Sequence, residues 1–143
     1  MDALDLTKQP PRPPREMLPG LNRFMIARTT DKLRATLPGG TLGDYKISGF
    51  SERVLKGLDI DESAMRDAVA AAKDDAEVAA WVAAHTDASR YEAVNAAISA
   101  PKIADRIGDP EFMAKYPVYA MLPPETPLID ALVADDRAAF ATT

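Results

Sequence analysis

Apolar residues recur every three or four positions through most of this chain, and polar residues fill the positions between them. This is the spacing of one buried face of an α-helix. The pattern predicts an all-α fold, a compact array of about five to seven helices. The predicted helices cover residues 20–37, 52–56, 62–73, 75–85, 87–100, 111–116 and 128–133, with a short irregular loop over 44–49.

Aspartate residues mark several of the predicted helix starts. Asp61 and Asp74 each precede an apolar series, and Asp109 precedes a proline that is well tolerated in the first turn of a helix. A short acidic side chain at these positions accepts a hydrogen bond from a free backbone N–H group. Asp135 and Asp136 are likewise interpreted as charges that favour a helix N-terminus.

The first 17 residues lack the helical spacing. Their prolines fix φ and push the preceding residues into extended conformations, so residues 1–17 are predicted to form an extended proline-rich strap. Residues 18–100 are predicted to form a helical core and residues 101–143 a C-terminal helical wrap, within one domain that spans 1–143. Pro10, Pro13 and Arg15 also match a ligand pattern for aromatic grooves, which makes the segment an alternative docking site for a protein partner.

A block of charge interrupts the apolar face of the first predicted helix. Arg28 and Lys32 share that face with Leu21 and Met25. Charges at such positions must be paired, must reach water or must face a ligand, because burying an unpaired charge is costly. The structural interpretation is an internal network in which Asp31 bridges Arg28 and Lys32 on neighbouring turns.

The functional interpretation adds the loop that follows this helix. The loop contains glycines at positions 39, 40 and 43 but lacks the Gly-Lys-Ser/Thr ending of a phosphate-binding loop. These glycines are therefore assigned to a turn. That turn would bring a phenol and an ammonium beside the charged block, and such a group suits a carboxylate or phosphate. The candidate ligand-binding residues are Arg28, Asp31, Lys32, Arg34, Tyr45 and Lys46.

Whether this site performs chemistry stays open at the level of the sequence. If it does, Tyr45 or Lys46 would transfer a proton and Arg28 would act as the electrostatic clamp. The alternative function is a protein–protein interaction module that uses the proline-rich segment or the aromatic stretch over 113–122, with the charged block purely structural. Packing of that stretch against the helical core is the competing interpretation of its apolar residues.

Composition excludes several classes of protein. The chain has no cysteine and one histidine, so we expect no disulfide framework, no metal site and no cofactor. No apolar run approaches the ~20 residues that span a bilayer, and the first residues are acidic where a signal peptide is basic. These observations predict a cytoplasmic protein that does not enter a membrane.

Charge is distributed unevenly along the chain, whose net charge is −5. Residues 1–56 carry ten Lys/Arg and six Asp/Glu, whereas residues 57–143 carry seven and sixteen. An acidic chain is poorly suited to duplex DNA, since binding there depends on neutralising phosphates. The basic first third instead favours a small anionic ligand, an acidic partner, or contact with the acidic remainder of the same fold.

Several of these segments occur in the order found in a known family. They are the 13–16 proline run, the charged block over 28–35, Leu42–Tyr45, Gly57–Asp59 and Asp74–Val82. From about Leu6 to about Ala97 the chain resembles a bacterial family of small proteins, the domain of unknown function numbered five-zero-six-nine. The resemblance implies no activity. The chain departs from the family pattern around residues 38–40 and after Pro101.

Overall fold

A computed structural model describes residues 1–141. Those residues contain seven α-helices and two isolated β-bridges but no extended strand, so the predicted all-α class and helix number are confirmed. The helices are α1 Ile26–Ala35, α2 Phe50–Gly57, α3 Glu62–Ala71, α4 Asp75–His85, α5 Tyr91–Ser99, α6 Pro110–Lys115 and α7 Leu128–Ala139. Within the same residues, no helix combines the length and hydropathy needed to cross a membrane.

Helix α1 lies at the centre of the molecule. Nine of its ten residues are buried, and it packs against both α2 and α3. Its apolar residues join the main core, to which α2, α3, α4 and α5 also contribute. A helix surrounded in this way must bury its polar residues too. The role of its charged residues therefore depends on which groups they pair with.

The predicted start of this helix is wrong. The chain turns at Met25, whose φ is +69°, so α1 begins at Ile26 and the segment from Gly20 is not helical. The Met25 N–H group donates to the carbonyl oxygen of Pro14 at 2.7 Å, which holds this turn against the N-terminal segment. Leu21 therefore lies outside the helix that carries Arg28 and Lys32. Other boundaries also differ from prediction. Helices α1, α3 and α7 end at Ala35, Ala71 and Ala139, and α2, α5 and α6 differ by one to four residues at each end.

Local capping is confirmed at three helices. The carboxylates of Asp61, Asp74 and Asp109 each accept the backbone N–H three residues later, as predicted. Helix α2 begins at Phe50, after Gly49, without a side-chain cap. Ser51 is buried, and its hydroxyl accepts a hydrogen bond from Thr29 of α1 at 3.0 Å.

The segment after Pro101 forms a second, smaller apolar cluster. Ile103, Tyr119, Leu128 and Ala131 are buried at its centre. The rings of Tyr116 and Tyr119 stack with centroids 4.8 Å apart. Phe50 of α2 packs against both clusters. The aromatic stretch therefore contributes residues to this cluster.

Residues 1–25 contain no helix, and turns interrupt their path. Lys8 N–H donates to the Asp5 carbonyl and Glu16 N–H to the Pro13 carbonyl, so a continuous extended strap is not confirmed. A β-bridge joins Asp5 to Thr41, and Leu6 is buried beside it. This path brings the backbone at Arg12 close to α1, at the back of the site described next.

Candidate functional site: a cationic cavity beside the central helix

A cavity of about 630 Å³ opens beside α1. One side is formed by α1 and the 43–50 loop, and the other by the segment from Arg106 to Phe140. Its volume is within the range of roughly 300–1,000 Å³ that is typical of small-molecule sites. Because the two sides are distant in sequence, the cavity exists only when the C-terminal helices are in place.

Basic side chains dominate the charge of the lining. Two acidic residues, Asp44 and Asp135, also line the cavity. The six basic residues of the lining are Arg28, Lys32, Lys46, Arg53, Arg106 and Lys115. The cavity is thus positive in a chain whose net charge is −5. Such a local excess attracts anions and raises their concentration at the site.

Arg28 is held in place by Asp136 of α7. The guanidinium donates to both carboxylate oxygens, at 2.7 and 3.2 Å, and the arginine is only 2% exposed. Its Nη1 atom also donates to the carbonyl of Arg12 at 3.3 Å. The predicted bridge from Asp31 is therefore wrong. The charge of Arg28 is therefore balanced by Asp136, and its side chain forms part of the cavity wall.

Tyr45 is connected to the same carboxylate. Its hydroxyl donates to Asp136 Oδ1 at 2.8 Å, and its ring centroid lies 5.7 Å from the Arg28 guanidinium. Burial, followed by the hydrogen bond to Asp136, raises the pKa of Tyr45 well above its ordinary value. The phenol consequently keeps its proton at neutral pH and contributes an aromatic face to the cavity.

Lys32 is the cation most deeply placed in the lining after Arg28. It is 7% exposed, and its Nζ donates to the carbonyl oxygen of Lys46 at 2.8 Å. Within residues 1–141, no carboxylate lies within ion-pair distance of Nζ. Burial, reinforced by the nearby Arg28 and opposed by Asp136, lowers the pKa of Lys32 to about 8.

Asp31 and Arg34 lie outside the cavity lining. Asp31 pairs with Arg12, whose Nη2 is 2.9 Å from Oδ1 and whose backbone N–H donates to Oδ2. The same guanidinium reaches Asp75 of α4 at 2.7 Å. Arg34 donates to the carbonyl of Asp2 at 2.8 Å. Of the six candidate residues, the structure therefore brings Arg28, Lys32, Tyr45 and Lys46 together at the cavity.

Sequence reasoning missed the contribution of the C-terminal half. Arg106 and Lys115 line the cavity from segments with no motif in common. Asp135 and Asp136 belong to the last turns of α7, so the N-terminal capping role predicted for them is wrong. Burial and the neighbouring Asp136 raise the pKa of Asp135. The position of Arg28 on a predicted apolar face was the sequence signal that its charge needed a partner.

The ligands that this lining could hold follow from its chemistry. In residues 1–141, no group of three His, Asp or Glu side chains is arranged to bind a metal ion. Ammonium and guanidinium groups with aromatic rings can bind a carboxylate or phosphate directly. The fold and site thus define an all-α protein with a cationic, aromatic cavity.

The chain belongs to the family described as Domain of unknown function (DUF5069), which matches residues 8–110. The expected resemblance is confirmed and extends further toward the C-terminus than Ala97. No curated protein matches this chain. The matched region contains Lys32, Tyr45 and Lys46, whereas Lys115 and Asp136 follow it.

Proposed function

We propose that the cavity binds a small organic anion with a flat, apolar body. The observation that carries this proposal is the composition of the lining, in which six basic side chains surround a space of about 630 Å³. Four of them, Lys46, Arg53, Arg106 and Lys115, have exposed or half-buried side chains that can reach an entering ligand. Accessible cations of this kind bind a carboxylate or phosphate through charge-assisted hydrogen bonds.

The flat body follows from the aromatic lining. The chain has nine aromatic residues, and six of them line the cavity. They are Tyr45, Phe50, Phe112, Tyr116, Tyr119 and Phe140. Aromatic side chains bury planar ligands well through offset stacking and edge contacts. An inorganic ion would leave this apolar surface in contact with water, so a larger ligand suits the site better.

The alternative proposal, an interaction module, has less support. Tyr116 and Tyr119 face the cavity or the small apolar cluster, which leaves Met121 as the strongly exposed apolar residue of the aromatic stretch, at 83%. A single exposed side chain does not form a contiguous docking patch. A protein partner therefore stays a prediction that competes with the small anion.

A matched set of probes tests the proposed function. Thermal unfolding is measured with p-toluate, which has a ring and a charge, with p-toluamide, which has the ring alone, and with acetate, which has the charge alone. Phenyl phosphate and inorganic phosphate form a second pair. A ligand present at about 100 times its Kd stabilises the folded state by about 2.7 kcal/mol, which raises Tm by several degrees. We expect the aromatic anions to raise Tm more than their partners.

Charge variants connect the effect to the cavity. Lys46→Gln and Lys115→Gln remove exposed cations from the lining, and Lys73→Gln makes the same change at an exposed position outside it. The first two should weaken binding of the aromatic anion by several-fold in calorimetry, and the third should not. Equal stabilisation by acetate and p-toluate, or equal weakening in all three variants, contradicts the proposal.

A further inference from the structure

Lys32 differs from the other lysines of this protein. The sequence contains seven lysines, and among residues 1–141 Lys32 is the buried one. Its side chain forms part of the cavity lining. A ligand that enters the cavity can thus reach an amine that is shielded from bulk water.

Within residues 1–141, no carboxylate forms an ion pair with this amine. Asp31 is engaged by Arg12 at 2.9 Å, and Asp136 is engaged by Arg28 at 2.7 Å and by the hydroxyl of Tyr45 at 2.8 Å. A lysine ammonium has three hydrogens to donate, and the hydrogen bond observed in residues 1–141 goes to the carbonyl of Lys46. Asp31 and Asp136 are therefore committed to other partners.

We propose that Lys32 is a nucleophile that forms a Schiff base with a carbonyl group of an anion bound in this cavity. The inference rests on the proposed function, because the cations of the lining must first hold the anion. Buried lysines beside a second cation are suited to such chemistry, since their neutral form is accessible at moderate pH. Here the second cation is Arg28, whose guanidinium and the Lys32 ammonium both lie beside the ring of Tyr45.

The reaction balances with the amine and the carbonyl compound alone. The Nζ lone pair forms a bond to the carbonyl carbon, and the electron pair of the C=O bond moves to oxygen, which takes a proton from nitrogen. The resulting carbinolamine loses its hydroxyl group with the second hydrogen of nitrogen as water. A C=N bond replaces the C=O bond, and neither partner is oxidised or reduced.

The protonation state agrees with this role. A lysine with a pKa of about 8 populates the free amine at neutral pH about 300-fold more than one at the ordinary 10.5. The charged groups that act on its pKa are Arg28 and Asp136, and the ring centroid of Tyr45 lies 6.0 Å from Nζ. Arg28 opposes the ammonium form and Asp136 favours it, with burial as the larger effect.

Reductive trapping tests the proposal with the full-length protein. The protein is incubated near pH 7 with p-formylbenzoate and sodium cyanoborohydride, and the modified lysines are identified by peptide mass spectrometry. We expect adduct at Lys32 to exceed that at each exposed lysine at least ten-fold. Excess p-toluate, which has the same shape without a carbonyl group, should slow modification of Lys32 and leave that of Lys73 unchanged.

Variants separate reactivity from binding. Lys32→Arg keeps a positive charge without a nucleophilic amine, so it should lose the selective adduct. Lys73→Arg makes the same change at an exposed lysine outside the cavity and should retain the adduct at Lys32. Because the principal result is the map of modified lysines in the wild-type protein, it does not depend on how well either variant folds.

The outcomes distinguish this inference from the proposed function. If p-toluate raises Tm but p-formylbenzoate modifies all lysines equally, the Schiff base is excluded and anion binding stands. If p-toluate neither binds nor slows modification of Lys32, both proposals fail. Selective adduct at Lys32 that is slowed by p-toluate supports both.

Discussion

Arg28 and Asp136 form a buried, two-pronged ion pair between α1 and α7, across 108 residues of sequence. The arginine side chain is 2% exposed and the aspartate side chain 8% exposed. Their contact joins the central helix to the segment that forms the far side of the cavity. The hydroxyl of Tyr45 donates to the same carboxylate, so three parts of the chain meet at Asp136.

Removal of this carboxylate should destabilise the fold strongly. Asp136→Ala leaves the Arg28 guanidinium buried without a counter-ion, and breaking a buried pair in this way costs about 3–5 kcal/mol. Urea denaturation measures the loss. Asp130→Ala is the control, because it breaks an exposed pair with Arg15 that is worth at most about 1 kcal/mol. Equal losses in the two variants would show that the buried pair does not hold α7 against α1.

The hydroxyl of Tyr45 should contribute a smaller amount. Tyr45→Phe removes the donor to Asp136 and keeps the ring in the cavity wall. A hydrogen bond to a charged group contributes about 1.5–3 kcal/mol, so we expect a loss in that range. Affinity for an aromatic anion should change less than two-fold, as measured by calorimetry. A large loss of affinity with no loss of stability would instead place the hydroxyl on the ligand.

Lys32 should make stability depend on pH in a defined direction. Its pKa of about 8 in the folded state lies below the ordinary 10.5, so the unfolded chain binds more protons between these values. Stability from this group therefore rises as pH increases from about 8 to 10.5 and is lost as pH falls through 8. Lys32→Met should exceed the wild type in stability at pH 7 by about 1–3 kcal/mol, and this advantage should shrink toward pH 10.

Urea denaturation at pH 7, 9 and 10 measures that trend. Lys73→Met is the matched control, because Lys73 is exposed and its substitution should give no comparable change with pH. A stability difference between Lys32→Met and the wild type that is constant from pH 7 to 10 would mean that the ammonium is retained in the folded protein.

Asp74 should stabilise the start of α4. Its carboxylate accepts the N–H of Glu77 at 3.0 Å, and loss of such a cap costs about 1 kcal/mol. Thermal unfolding of Asp74→Ala should show the decrease, whereas Asp67→Ala, an exposed change within α3, should have little effect. Similar Tm values for Asp74→Ala and the wild type would show that the cap is replaced by water.

Helix capping and the helical class were predictable because they depend on residues close together in the sequence. Asp61, Asp74 and Asp109 each satisfy an N–H group three positions away, so no distant segment is needed. The start of α1 was not predictable, since the conformation of Met25 depends on a hydrogen bond to Pro14. The 20–25 segment has the apolar residues of a helix without its hydrogen bonds.

The residues of the candidate site were likewise predictable only where they lie close together in the sequence. Tyr45 and Lys46 were expected beside Arg28 and Lys32 because a short turn returns the chain toward the helix it has just left, and all four line the cavity. Lys115 and the residues of α7 were not expected there, because nothing in their local sequence specifies contact with α1.

The sequence by itself determined the helical class and its caps, because helix periodicity and capping act within about four residues. It also placed charged residues on the apolar face of the first helix, where each charge needs a partner, water or a ligand. Only the tertiary structure decided the partner of each charge, because pairing depends on which distant segments the packed core brings within about 3 Å. Asp31 pairs with Arg12 and Arg28 with Asp136, which leaves Lys32 beside a cationic, aromatic cavity.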